Sequence, residues 1–223
     1  MGNVAFTRDE AILALDTLYS AGGRRLRPDD EEIIELSRLL NELPVIPNGK
    51  KRDFFRSCKG ICDQINGFRL SSSRGMKSQD VGAMFYSVDG EFKSDLNGLH
   101  QIGQAIKRNA EFFSEIPFGA ESENCDFQEG ALLEHLHRFI ERRDGRKIVC
   151  SDVCEVCKLN LAEIYKTLPN NFNELHLLVS VIDLNINKKY KSADFITVCP
   201  NCHAMLHRHR PWLRRENVSE ILR

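Results

Sequence analysis

The chain lacks any unbroken run of about 18 apolar residues, the length a membrane-crossing helix needs. Its first ten residues, MGNVAFTRDE, lack the basic-then-apolar order of an export leader. Phe6 also breaks the myristoylation pattern that Gly2 would begin. A cytoplasmic protein is the expectation. No charge excess of either sign is present, since 31 Lys and Arg stand against 32 Asp and Glu, for a net charge of -1. That excludes a uniformly basic protein and leaves room for a local basic patch. Internal repeats and low-complexity tracts are also missing, which argues against a solenoid or a disordered chain.

Present instead is the balance of a globular protein, with 42% hydrophobic and 28% charged residues over 223 positions. That length suits one ordinary domain or two small ones. The cations are gathered. Lys50, Lys51, Arg52, Arg56, Lys59, Arg69, Arg74 and Lys77 fall between residues 50 and 77 against Asp53 and Asp63. A second gathering spans residues 186 to 223 and includes Arg208 and Arg210. On a helix, Arg52, Arg56 and Lys59 would share a face. Arg52, Arg56, Lys59, Arg69, Arg74, Lys77, Arg208 and Arg210 are therefore the candidates for phosphate contact.

Patterning predicts helices through most of the first half. Thr7 with Glu10 three residues on is a capping-box arrangement, followed by Ile12, Leu13, Leu15 and Leu18, and Gly22-Gly23 end that helix. A second helix is expected from about Pro28–Asp30 to Leu43, buried on Ile33, Ile34, Leu36, Leu39 and Leu40. A third is expected over 52–67, a loop over 71–80, a helix over 94–115 and another from Glu129 to Arg142. Residues 117–128 have linker composition. The expected organisation is a helical domain over 1–116, the linker 117–128 and a C-terminal module over 129–223.

Cysteine is the most informative residue type. Eight are present, and four of them form two CxxC pairs, Cys154/Cys157 and Cys199/Cys202, separated by 41 residues. In a reducing compartment such knuckles read as a four-thiolate zinc site rather than as disulfides. Cys150 is near enough to Cys154 to be a substitute ligand, and Cys58, Cys62 and Cys125 show no pattern. The second pair runs into His203 and His207, four apart and so on one helix face. His176, in the apolar run from Phe172 to Val181, is a candidate third donor to a divalent ion. His135 and His137, two apart, are read as surface or packing residues.

CEVCKLNLAEIY and VCPNCHAMLHRHRPWL, preceded by EGALLEHLHRFIERR, resemble the knuckles, metal-binding helix and leader helix of the HNH nuclease superfamily. The likeness is to its modification-dependent, methylcytosine-specific restriction branch and covers roughly 129–223. Residues 1–116 resemble more weakly the N-terminal domain joined to such nucleases, through FTRDEAILALDTLY and FRSCKGICDQINGFR.

The resemblance implies an α+β protein, with a mostly helical N-terminal domain before a zinc-stabilised ββα-metal, treble-clef-like module. It implies double-stranded DNA, unmodified or cytosine-modified, as the target. It further implies a structural Zn²⁺, a site ion such as Mg²⁺, Mn²⁺, Ni²⁺ or Zn²⁺, and a homodimer or a restriction-system partner. His176, His203 and His207 take the ligand positions, and Asp194 takes the place of the middle Asn, where it could brace the loop. An aromatic pocket for a flipped base would draw on Phe54, Phe55, Phe68, Phe85 and Tyr86. The general-base position holds Leu177, which cannot accept a proton. General base catalysis contributes roughly 10²–10⁴-fold, so slow cleavage is expected. Three readings follow: a DNA-binding protein that does not cut, a nuclease using His176 as a shifted base with Glu174 or Asp194 assisting, and a non-catalytic partner subunit.

Overall fold

The computed structural model describes residues 5–44, 55–115, 132–165, 172–209, 213 and 215–222. The chain divides into two compact units, Met1–Leu132 and Leu133–Arg223. The expected linker 117–128 lies outside the described residues, as do Arg52, Phe54, Cys125, Arg210 and Trp212.

The first unit is built around α1 (Arg8–Ser20). Every residue of α1 from Asp9 to Leu18 is buried, as expected of a helix packed on all sides. Its start is fixed by the capping box: Thr7 Oγ1 accepts from the Glu10 N–H, and the Glu10 carboxylate accepts from the Thr7 N–H at 2.8 Å. Its end is fixed by Gly22 and Gly23, whose φ values of +69° and +70° turn the chain through the left-handed region. Packed against it are α2 (Glu31–Glu42), α3 (Cys58–Ser73), α4 (Ala83–Phe92) and α5 (Leu96–Arg108), and the short α6 (Ala110–Glu115) follows.

Three expectations need correction. Ile34 faces solvent, so α2 buries a narrower stripe of Ile33, Leu36 and Leu40. The helix expected over 94–115 is two helices, parted at Asn109, whose side chain donates to the Ala105 carbonyl. The third helix begins only at Cys58, with Ser57 as its cap, and runs past Gly67 to Ser73.

The acids of α1 have partners. Asp16 is met by His100 at 2.7 Å and Lys107 at 3.2 Å, both on α5. Glu10 is met by Arg56, which donates from Nε at 2.6 Å and from a terminal nitrogen at 2.8 Å.

The second unit opens with α7 (Leu132–Gly145). A knuckle turn at Cys154–Lys158 precedes the one-turn α8 (Leu161–Ile164). Strand β1 (Glu174–Leu177) pairs antiparallel with β2 (Phe195–Val198), with His176 opposite Ile196, and α9 (Pro200–Arg208) follows directly. The apolar run expected to continue to Val181 leaves the strand after Leu177. A small hairpin-and-helix module is thus formed, with a long connection between its strands. That connection is held by α7: Arg143 donates to the Ile186 and Lys188 carbonyls at 2.6 Å, and Asp144 accepts from the Tyr190 N–H at 3.0 Å.

Candidate metal centres

Cys154, Cys157, Cys199 and Cys202 converge, with their sulfurs within 4.8 Å of one another. The first pair sits on a turn in which the Lys158 N–H donates to the Cys154 carbonyl, and Lys158 adopts φ +63°. The second pair sits at the start of α9, with Cys199 as the N-cap and Pro200 supplying the first helical φ. Cys157 Sγ and Cys199 Sγ are 3.8 Å apart. That is close to the edge of a tetrahedron with metal–sulfur bonds of about 2.3 Å, roughly 3.8 Å, and far beyond a disulfide bond.

Burial pushes the Cys154 thiol up, but the backbone N–H groups of Cys199, Cys157 and Val156 outweigh it and bring it down to about 7. Cys157 and Cys202 are pushed up by burial, and neighbouring sulfurs add to the rise. One thiolate forms readily in this group, and further ones need a cation. Cys150 is not part of the group.

The second group is His137, Glu141, His176 and His207, whose ligand atoms also lie within 4.8 Å of one another. Three elements supply it: α7 gives His137 and Glu141, β1 gives His176, and α9 gives His207. Glu141 is its centre. Oε1 lies 3.3 Å from His137 Nδ1 and 3.0 Å from His176 Nδ1, and it accepts from the Leu177 N–H at 2.9 Å. Oε2 lies 3.3 Å from His207 Nε2 and 3.5 Å from His203 Nε2. Burial raises the Glu141 carboxyl, but the surrounding imidazoles outweigh it and hold it well below the usual range.

Burial pushes His137 down to about 3 and lowers His176 as well. His203 goes the other way: burial lowers it, but Glu141 and Glu174 outweigh that and lift it to about 9. The group fits an ion on chemical grounds. It is a set of imidazoles around one carboxylate, and the buried His176 Nδ1, though 3.0 Å from Glu141 Oε1, makes no well-aligned hydrogen bond.

The structure thus brings His176, His203 and His207 together. It adds two residues that sequence reasoning missed as donors, Glu141 and His137, the latter fully buried, the packing alternative of its expected surface or packing role. The signal for both is the spacing of His137 and Glu141, four apart and so on one helix face, a relation that His135 and His137, two apart, do not have. Asp194 stands apart from the group. Its carboxylate caps a short turn by accepting from the Lys191 N–H at 2.8 Å, and its carbonyl accepts from the Leu178 N–H. His176 is 4% exposed and turned to Glu141, a poor position for a base acting on an incoming water.

Leu177 follows His176 in the strand, so its side chain points to the opposite face of the hairpin. Only its backbone meets the group: its N–H donates to Glu141, and His137 Nε2 approaches its carbonyl oxygen at 2.7 Å.

The expected nucleic-acid contacts separate. Arg56 is not available to a phosphate. It is 6% exposed, lies before α3 rather than on it, and is held between the rings of Phe6 and Phe55. Lys59 is exposed and paired with Asp63 at 2.8 Å, and Arg69 is half-buried. Arg74, Lys77 and Arg208 are exposed. Phe68 and Phe85 are core residues, so the expected aromatic pocket reduces to Phe55 and Tyr86 on the wall of an open cleft of about 660 Å³.

No known family profile and no solved structure matches the chain. An alignment of 155 positions, which covers 66% of the chain, is 27% identical to protein LTV1 of Saccharomyces cerevisiae (strain ATCC 204508 / S288c), and the match spans 31% of that protein's length. Among the described residues, no helix is long and apolar enough to cross a membrane.

Proposed function

We propose that this chain is an HNH-type DNA-binding protein of a restriction or defence system in which phosphodiester cleavage is lost or very slow. Its four cysteines hold a structural Zn²⁺ that builds the module, and the exposed Arg74, Lys77 and Arg208 contribute to duplex contact. The observation that carries the reading is the burial of the second group: His137, His176, His207 and Glu141 are 0%, 4%, 3% and 8% exposed. Catalytic metal sites keep a coordination position open for water or substrate, whereas structural sites close it with protein donors. A group closed in this way offers a scissile phosphate no place on the ion. The buried side chain of Leu177, on the other face of the hairpin, supplies no base either.

Supercoiled plasmid, unmodified and cytosine-modified, incubated with wild type or Leu177→His in Mg²⁺ or Mn²⁺ tests this. The expected result is a salt-dependent mobility shift with no nicking by either protein. Nicking by wild type that vanishes in His176→Ala would establish an active nuclease. Nicking gained by Leu177→His would show that the site is open and lacks only its base. Absence of any shift at low salt would favour the partner-subunit reading.

A further inference from the structure

We infer that α7 completes the second centre, so that His137 and Glu141 join His176, His203 and His207 around one late first-row transition-metal ion. The inference deepens the reading of a closed centre given above. Its test reads metal rather than DNA, so either can fail without the other.

The argument is a count of protons. His137 Nε2 lies 2.7 Å from the Leu177 carbonyl oxygen and so carries hydrogen, which leaves Nδ1 as the lone pair of the neutral ring. His203 Nδ1 faces the Glu174 carboxylate, which leaves Nε2. That Nε2 is 3.0 Å from His207 Nε2, and only one of two nitrogens so placed can hold a hydrogen between them.

With its hydrogen on Nε2, His137 turns the lone pair of Nδ1 toward the Glu141 carboxylate at 3.3 Å, two electron-rich atoms facing each other that a cation between them would join. The ring centroids are 4.7 to 5.3 Å apart, and a single carboxylate is shared by all of them. One divalent cation resolves the whole arrangement by receiving each lone pair at once.

The outer contacts agree. A ligating histidine commonly donates its other ring N–H to a carbonyl or a carboxylate, which fixes its tautomer. Here the Leu177 carbonyl serves His137 and Glu174 serves His203, while Glu134 Oε1 stands 3.9 Å from His207 Nδ1.

The donor set selects the ion. Imidazoles suit Zn²⁺, Ni²⁺, Cu²⁺ and Fe²⁺, whereas Mg²⁺ and Ca²⁺ demand oxygen donors and retain water. Among the described residues, Glu141 is the one carboxylate in reach of all four rings.

The test loads the full chain with Co²⁺ and follows absorption together with bound metal. The thiolate centre reports through sulfur-to-cobalt charge transfer, and the imidazole centre through ligand-field bands alone. Wild type is expected to bind one ion at each centre and to keep both signals in a large excess of Mg²⁺. His207→Ala and His137→Ala are expected to lose one ion and the ligand-field contribution of the second centre while keeping the charge-transfer band. Glu141→Gln keeps an oxygen for the Leu177 N–H and removes the charge. It is expected to weaken the second centre at least tenfold, and it decides the matter if an alanine variant loses the charge-transfer band through misfolding. The inference is overturned if wild type binds an ion only at the thiolate centre, if Mg²⁺ displaces the second ion, or if Glu141→Gln binds both ions with unchanged affinity.

Discussion

Cys199→Ser is expected to unfold the unit Leu133–Arg223 while leaving the helices of the first unit intact. The module's secondary structure around the cysteines cannot stand unaided. Its hairpin is two strands of four residues, and an isolated nine-residue helix such as α9 is marginal in water. Its apolar cluster is built partly from the candidate ligands themselves, since Cys154, Cys199 and Cys202 pack with Val156, Leu161, Ile196, Val198 and Leu206. A structural zinc ion contributes an apparent folding free energy of about 10–16 kcal/mol, as much as the whole stability of an ordinary domain, about 5–15 kcal/mol. Limited proteolysis of the full chain checks this. In the variant, or in wild type under a strong chelator, cuts should appear within 133–223 while a fragment covering the first unit persists. An unchanged cleavage pattern would mean that side-chain packing alone holds the module.

Arg56→Ala is expected to destabilise the first unit by about 3–5 kcal/mol, because it strands the Glu10 carboxylate inside the core. Glu10 is fully buried and Arg56 nearly so, and their two hydrogen bonds are joined by one from Arg56 to the Ala5 carbonyl at 2.9 Å. The guanidinium also stacks at 4.0 Å on Phe6 and 4.2 Å on Phe55, which adds cation–π attraction in a desolvated setting. Replacing both partners, Glu10→Leu with Arg56→Met, should recover most of the loss. A deficit of about 1 kcal/mol should remain because Glu10 also accepts from the Thr7 N–H at the helix start. Urea unfolding followed by helical circular dichroism would give both values. A phosphate-binding role for Arg56 would show the reverse pattern, with stability unchanged and DNA affinity lowered.

Arg56 illustrates where sequence reading stops. A run of cations says that positive charge is nearby in the chain, and nothing about which residue faces an acid across the core. Glu10, 46 positions away, could be recognised from its own neighbourhood only as a capping residue. The cysteines were legible because their ligand chemistry is written in local spacing, and each CxxC pair folds on its own short turn. The histidines were half legible. His203 and His207 lie one helical turn apart and His176 sits in an apolar run. Glu141 and His137 meet them only because α7 lies beside β1, a long-range contact that no local pattern encodes. Leu177 lies in the strand-like run expected around it, but its direction depends on the strand: alternation across the hairpin carries it away from the face His176 occupies. The helix α4 was missed because Gly82 and Gly90 interrupt its pattern, although Phe85, Val88 and Phe92 bury one side of it.

Helix α9 serves two masters, and this makes its sequence spacing a mechanical tolerance. Cys199 and Cys202 join the candidate thiolate centre from its start, and His203 and His207 reach Glu141 from the next turn. Each residue added or removed along a helix rotates everything beyond it by about 100° and shifts it by about 1.5 Å. A single-residue insertion between Cys202 and His203 would leave the CxxC knuckle whole and swing both histidines off Glu141. Homologues that keep both centres are therefore bound to keep this junction ungapped, however freely the loops around it vary.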